Sequence, residues 1–176
     1  MEVFLRQENP EDHSAVFRLI EKAFSHEKIS DHQEQYLVER LRKSKAFIPE
    51  LSIVATFNNQ IVGHILLTKI KIKNTRGKFD SLALAPVSVL PEFQNRGIGG
   101  KLISHAHEAA KKLGFQSVIL LGHQDYYPRF GYKRADEFGI DLPFDVPKAN
   151  CMSIELVENA LGNVNGIVEY PQEFYD

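Results

Sequence analysis

The chain has 176 residues, 43% of them hydrophobic, which suits one domain with a real core. A net charge of −2, with no basic stripe interleaved with aromatics and no apolar run of membrane-spanning length, argues against nucleic-acid and membrane partners. Cys151 is the only cysteine, so an internal disulfide is excluded and a reducing, cytoplasmic setting is expected.

The net figure hides an asymmetry. Residues 136–176 hold nine acids against Lys148 alone, a net of −8, which leaves +6 for residues 1–135. An acidic C-terminal part would attract a cationic acceptor; the plainer reading is a solubilising surface.

Residues 1–7 lack the basic and apolar regions of a signal peptide and read as a first strand. Asn9-Pro10 opens a helix, proline being favoured at the first helical position, with Ala15, Val16, Leu19, Ile20 and Ala23 as its apolar face. Ser30-x-x-Gln33 predicts a capping box for a second helix through about Arg42. Residues 51–57 and 61–72 are β-rich runs joined by Asn58-Asn59-Gln60, a hairpin turn that tolerates positive φ. Thr68, Ile70 and Ile72 alternate with Lys69, Lys71 and Lys73, as a strand with one wet face should. Residues 74–78 read as a basic turn and residues 82–90 as an apolar strand stopped by Pro91, which cannot donate to a ladder. A helix follows over 98–113, with Leu102, Ile103, Ala106, Ala109, Ala110 and Leu113 as its buried stripe. Residues 117–121 form a further strand. Residues 136–150, with Pro143 and Pro147, read as an irregular loop, and residues 152–157 and 166–170 as short final strands. Cys151, beside Met152 and Ile154, reads as a buried strand residue rather than a nucleophile.

Two segments carry chemistry. The first is Gln94-Asn95-Arg96-Gly97-Ile98-Gly99-Gly100, between the apolar strand and the amphipathic helix. Strand, glycine loop and helix together aim free N–H groups and the positive end of a helix dipole at an anion. Gly97 and Gly99 let a phosphate approach the main chain, and Arg96 and Lys101 flank them with charge. The spacing is neither Gly-x-Gly-x-x-Gly nor a nucleotide P-loop. Glycines for a tight strand-to-helix turn are the plainer alternative. The second segment is Tyr126-Tyr127-Pro128-Arg129-Phe130-Gly131-Tyr132, one strand later.

Gln94-x-x-Gly97-x-Gly99 resembles the Gln/Arg-x-x-Gly-x-Gly/Ala signature of the GCN5-related N-acetyltransferase (GNAT) family. Tyr127-x-x-x-Gly131-Tyr132 matches that family's later motif in order and spacing. With the run from Pro86 to Phe93, the chain looks most like the YhbS-like predicted acetyltransferase subgroup, specifically over residues 82–134. The resemblance implies an α/β (mixed α+β) acyl-coenzyme A N-acyltransferase fold in one domain, residues 1–176. Its central, mostly antiparallel mixed sheet has two splayed central strands and is flanked by helices.

It also implies a site. The co-substrate would be acetyl-coenzyme A, with no metal. Its pantetheine arm would pair with the main chain of Val87, Ser88 and Val89, although both valines also read as plain core residues. Its pyrophosphate would sit on the loop formed by Gln94, Asn95, Arg96, Gly97, Ile98, Gly99, Gly100 and Lys101. Tyr127 aligns with the general acid that protonates the departing thiolate, and a phenol's ordinary pKa of about 10 lies near a thiol's. Tyr126 falls where the family places a packing aromatic. Many members carry a coenzyme-contacting asparagine where this chain has Leu120, so His123 or Gln124 would have to stand in. The general base is unassigned among Glu92, His64, His123 and Asp125. His105 and His107 lie two apart in a helix and offer no metal spacing. The acceptor would be a small-molecule or protein amine, with a homodimer left open. The alternative function is a non-catalytic acyl-coenzyme A sensor or partner-binding module.

Overall fold

A long hairpin forms the spine of the fold. Its alternating apolar and lysine residues build β3 (Gln60–Asn74), which turns at Thr75-Arg76 into β4 (Gly77–Val89). Thr68, Ile70 and Ile72 are buried while Lys69, Lys71 and Lys73 are exposed, as a two-residue period requires. The strand β4 begins five residues before the expected start at Leu82. Residues 77 and 78 fall in the expected basic turn over 74–78, and residues 79–81 carry no strand signal, yet each of residues 77–81 pairs with β3, and Asp80 forms an ion pair with Lys71.

The computed structural model describes residues 1–176 and contains nine strands and three α-helices. The sheet runs β1 (Phe4–Gln7), β2 (Ser52–Phe57), β3, β4, β5 (Ser117–Leu121), β8 (Cys151–Glu155), β6 (Lys133–Arg134). The β4–β5 pair and the pair of β7 (Ile140–Asp141) with β9 (Gly166–Glu169) are parallel; the rest are antiparallel. The β2–β3 hairpin turns through Asn58 and Asn59, both at positive φ (47° and 62°), as its asparagines predict.

Local chemistry sets the helix boundaries. Pro10 opens a 3-10 turn, held by the Asn9 N–H donating to Asp12 Oδ2 at 2.7 Å, and α1 (His13–Phe24) follows it. The expected capping box at Ser30 does not form. His32 adopts φ 59°, the Ser30 hydroxyl bonds to Glu34 instead, and α2 (Glu34–Arg42) starts after Gln33. Helix α3 (Ile98–Lys112) buries Ile98, Leu102, Ile103, Ala106 and Ala110. Leu113 falls outside that stripe and is exposed, because Gly114 (φ 90°) turns the chain away just beyond it.

The expected irregular loop over residues 136–150 is partly ordered. It carries a 3-10 turn (Ala135–Phe138), β7 (Ile140–Asp141) and a second turn (Lys148–Asn150). Both short strand residues of β7 find their partners in β9 (Gly166–Glu169), a pairing that local sequence does not encode.

The two faces of the sheet have different fillings. A Cβ on Gly63 would meet Leu102 and Ile98, so the odd-numbered residues here in β3 face α3. His64, on the opposite face, belongs to a buried polar network. The Arg42 guanidinium of α2 pairs with the Glu8 carboxylate, Ser52 Oγ donates to Glu8 Oε2 at 2.5 Å, and His64 Nε2 lies 3.0 Å from Ser52 Oγ. With its proton committed to Glu8, Ser52 must accept from His64, so Nε2 carries the imidazole proton. Burial would raise the Glu8 carboxyl. The charge of His64 when protonated, the Arg42 guanidinium and the Ser52 hydroxyl together hold it below its ordinary range. A second apolar cluster, around Ile70, Ile72, Ala83, Ile119 and Val168, lies beneath the C-terminal segment.

Burial pushes His64 down to about 4, and does the same to His107 of α3, whose Nε2 lies 2.7 Å from the Tyr132 hydroxyl. The folded state therefore binds fewer protons than the unfolded chain between about pH 4 and 6.5. Stability should be flat above that window and fall as the pH drops through it, by up to about 1.4 kcal/mol per pH unit for each histidine. Urea midpoints across the window measure the slope. His64→Gln should roughly halve it, and an unchanged slope would contradict the assignment.

Candidate active site

The strands β4 and β5 pair at only two positions, Leu82 with Val118 and Ala83 with Ile119. Beyond Ala83 the β3–β4 register slips by one residue, from Leu67 opposite Leu84 to Ile65 opposite Val87. The extra residue falls at Ala85-Pro86, where Pro86 has no N–H to give to a ladder. β5 meanwhile runs on alongside β8. The two strands thus part, and one edge of β4 has no strand neighbour.

Alternation decides which groups line that edge. The Leu90 N–H donates to Val62 O at 2.9 Å, so Ser88, two residues earlier, also directs its main chain at β3, opposite His64. Val87 and Val89 then direct theirs into the gap. Of the three residues expected to offer main-chain groups, the valines do so and Ser88 does not. The Val89 carbonyl accepts from Gln94 Nε2 at 3.1 Å, which fastens the glycine loop to the strand.

The loop turns through Asn95 (φ 61°) and Gly97 (φ 78°), both left-handed. The first helical bond of α3 runs from the Lys101 N–H to Gly97 O at 3.1 Å, which leaves the N–H groups of Ile98, Gly99 and Gly100 without helical acceptors. The glycines serve different ends. A Cβ on Gly97 would meet nothing within 4 Å, so that position is open. A Cβ on Gly99 would lie 2.8 Å from the Tyr126 hydroxyl, and one on Gly100 would lie 3.1 Å from Phe130 Cε1. Those two make room for the aromatic turn. Arg96 stands 5.7 Å from the Phe93 ring centre, with Nη1 3.8 Å from Met1 Sδ. Lys101, with Gly97 and Gly100, lines an open groove of about 620 Å³ floored by Val3 and Leu5.

The aromatic turn, Tyr127–Phe130, ends at Gly131 (φ 98°). Tyr127 is 9% exposed and packs edge-on against Tyr126 and Tyr132, at 5.0 Å and 5.8 Å between ring centres. Burial pushes its phenol well above the ordinary value, so it stays protonated at neutral pH. Tyr132, pushed up by burial likewise, is fixed by its bond to His107.

Other candidates sit elsewhere. Leu120 is a core residue opposite Met152 and makes no polar contact. His123 is exposed, with Nε2 3.8 Å from Glu27 Oε2 in the loop after α1. Among the base candidates, His64 is fully buried in its network, whereas Glu92 and Asp125 are exposed. No three metal-binding side chains converge. Cys151 is buried at the start of β8, with Sγ 3.8 Å from Pro147 O. The position of the Tyr126 hydroxyl escaped sequence reasoning. The one signal for it was a tyrosine where phenylalanine would pack equally well.

A family model described as acetyltransferase (GNAT) domain matches residues 5–135. The chain is 36% identical over 141 residues to the uncharacterized N-acetyltransferase YjhQ of Escherichia coli, covering 78% of this chain and 74% of that protein. It is 25% identical over 173 residues to the uncharacterized N-acetyltransferase YhbS of the same species, covering 98% of both. The crystal structure of Escherichia coli YhbS in complex with CoA superposes with a TM-score of 0.90 at 22% identity, over 100% of this chain and 93% of that one. A GNAT family acetyltransferase from Brucella melitensis in complex with acetyl-CoA gives a TM-score of 0.80 at 31% identity, over 98% of both chains.

The Tyr127 ring lies against the missing side chain of Gly122, where a Cβ would overlap Cε2. Gly122→Ala should therefore displace a packed ring and cost about 1–3 kcal/mol. Chemical denaturation measures this, and a neutral result would show that the ring has room to move.

Proposed function

This chain belongs to the acetyltransferase (GNAT) family, and on that premise we propose that it moves an acetyl group from acetyl-coenzyme A to a primary amine by direct attack in a ternary complex. The observation that carries the reading is the parting of β4 and β5 beside a glycine loop at a helix N-terminus. The gap offers the main-chain groups of Val87 and the N–H of Val89 to the amide-bearing pantetheine arm, the Val89 carbonyl being held by Gln94. The loop offers the open face of Gly97 and the free N–H groups of Ile98, Gly99 and Gly100 to the pyrophosphate. Lys101 adds a positive charge at the same place.

The reaction forms a C–N bond and breaks a C–S bond. A neutral amine attacks the thioester carbonyl, the nitrogen sheds one proton as the amide forms, and the departing thiolate takes one up. Tyr127 is the candidate donor, by its place in the aromatic turn rather than by its raised pKa. Its phenol stays protonated at neutral pH and has no hydrogen-bond partner within the protein. That phenol also argues for turnover over binding alone.

Acetyl-coenzyme A should stabilise the fold by roughly 2.7 kcal/mol at about 100 times its dissociation constant. Gly97→Glu should abolish that shift by placing a carboxylate in the phosphate site. Gly97→Asn, which tolerates positive φ, should keep most of it. An undiminished shift in folded Gly97→Glu would sink the site assignment.

Tyr127→Phe removes one hydroxyl and keeps the ring. Thiol release with a panel of amines should slow by roughly 10²- to 10⁴-fold in kcat, with coenzyme affinity nearly constant. Wild-type turnover would reduce Tyr127 to a packing residue.

A further inference from the structure

The paired tyrosines at the head of the aromatic turn have different surroundings. Tyr127 is buried and faces Gly122. Tyr126 is half-buried, and its hydroxyl reaches the first turn of α3, 2.8 Å from where a Cβ of Gly99 would stand. That turn is the one whose N–H groups have no helical acceptors.

The Tyr126 ring is held from several sides. It packs edge-on against Tyr127 at 5.0 Å and Phe130 at 5.2 Å. The Arg129 guanidinium covers it at 4.8 Å from the ring centre, and Arg129 Nε donates to the Tyr126 carbonyl at 2.9 Å. The hydroxyl thus has a fixed position and no partner within the protein. Phenylalanine would supply the same packing, so ring contacts do not account for the oxygen. A donor fixed beside free N–H groups at a positive helix end fits an anionic oxygen.

We infer that Tyr126 is a further coenzyme-binding residue, its hydroxyl donating to a diphosphate oxygen of the coenzyme at the N-terminus of α3. The inference rests on the coenzyme site proposed above and gives the adjacent tyrosines separate tasks. Tyr126 holds the diphosphate while Tyr127 serves the sulfur at the other end of the arm. Gly99 then acts indirectly, since it leaves the space through which the Tyr126 hydroxyl reaches the helix.

The test is calorimetric binding of coenzyme A to wild type and Tyr126→Phe, with phosphorus NMR of the bound coenzyme. A hydrogen bond to a charged oxygen is worth on the order of 10-fold in affinity. The dissociation constant should rise by about that factor. The diphosphate resonances of bound coenzyme A should shift in the variant while the 3′-phosphate resonance stays in place. An unchanged dissociation constant overturns the inference. So does weaker binding with unmoved diphosphate resonances, which would place the hydroxyl on another part of the ligand. Gly97→Glu separates the two levels: if it binds coenzyme A as wild type does, the site itself is wrong. If it does not bind while Tyr126→Phe is silent, only the role of Tyr126 falls.

Discussion

The site depends on the brevity of the contact between β4 and β5. Leu82, Ala83, Val118 and Ile119 are each no more than 2% exposed and weld the two strands at one end. One inserted residue at Ala85-Pro86 then turns β4 aside. A sheet that paired fully there would satisfy Val87 and Val89 and leave nothing to offer. Unpaired main-chain groups are costly when dry, so a protein keeps them only where water or a ligand reaches them. The open edge of β4 is what remains of a ladder that stops early.

Small residues then let bulky ones approach. Gly97 supplies a backbone conformation at φ 78°. Gly99, Gly100 and Gly122 supply space, for Tyr126, Phe130 and Tyr127 in turn. The aromatic turn can therefore lie flat against both the first turn of α3 and the end of β5. On the opposite face, Glu8, Arg42, Ser52 and His64 join β1, α2, β2 and β3 through charge and hydrogen bonds. Removing one partner of such a buried set leaves another uncompensated, so the network fixes where α2 sits.

What the sequence disclosed was what short-range periodicity can carry. The stripe of α3 apart from Leu113, the Asn58-Asn59 turn and the lysine alternation of β3 read directly. The first five residues of β4 did not, because polar residues become strand only through their partner. The Ser30 box did not form because the hydroxyl bonds to Glu34, the first residue of α2. Strand register was equally hidden, so Ser88 could not be told from Val87 and Val89. The Glu8 network draws on residues 8, 42, 52 and 64, and no local window contains it.

After β8 the chain does not stay beside β5. It crosses the face that holds Ile70, Ala83 and Ile119, burying Leu161 there, and joins β3 as β9 along the edge that β2 has vacated. Gly166 begins that return so close to the Lys73 carbonyl that no side chain would fit. The polypeptide is laced over the closed end of the wedge like a strap over a hinge. A wedge strapped at its apex widens only at its mouth. The gap between β4 and β5 thus opens only away from Leu82 and Ala83, the end over which the C-terminal segment is laced.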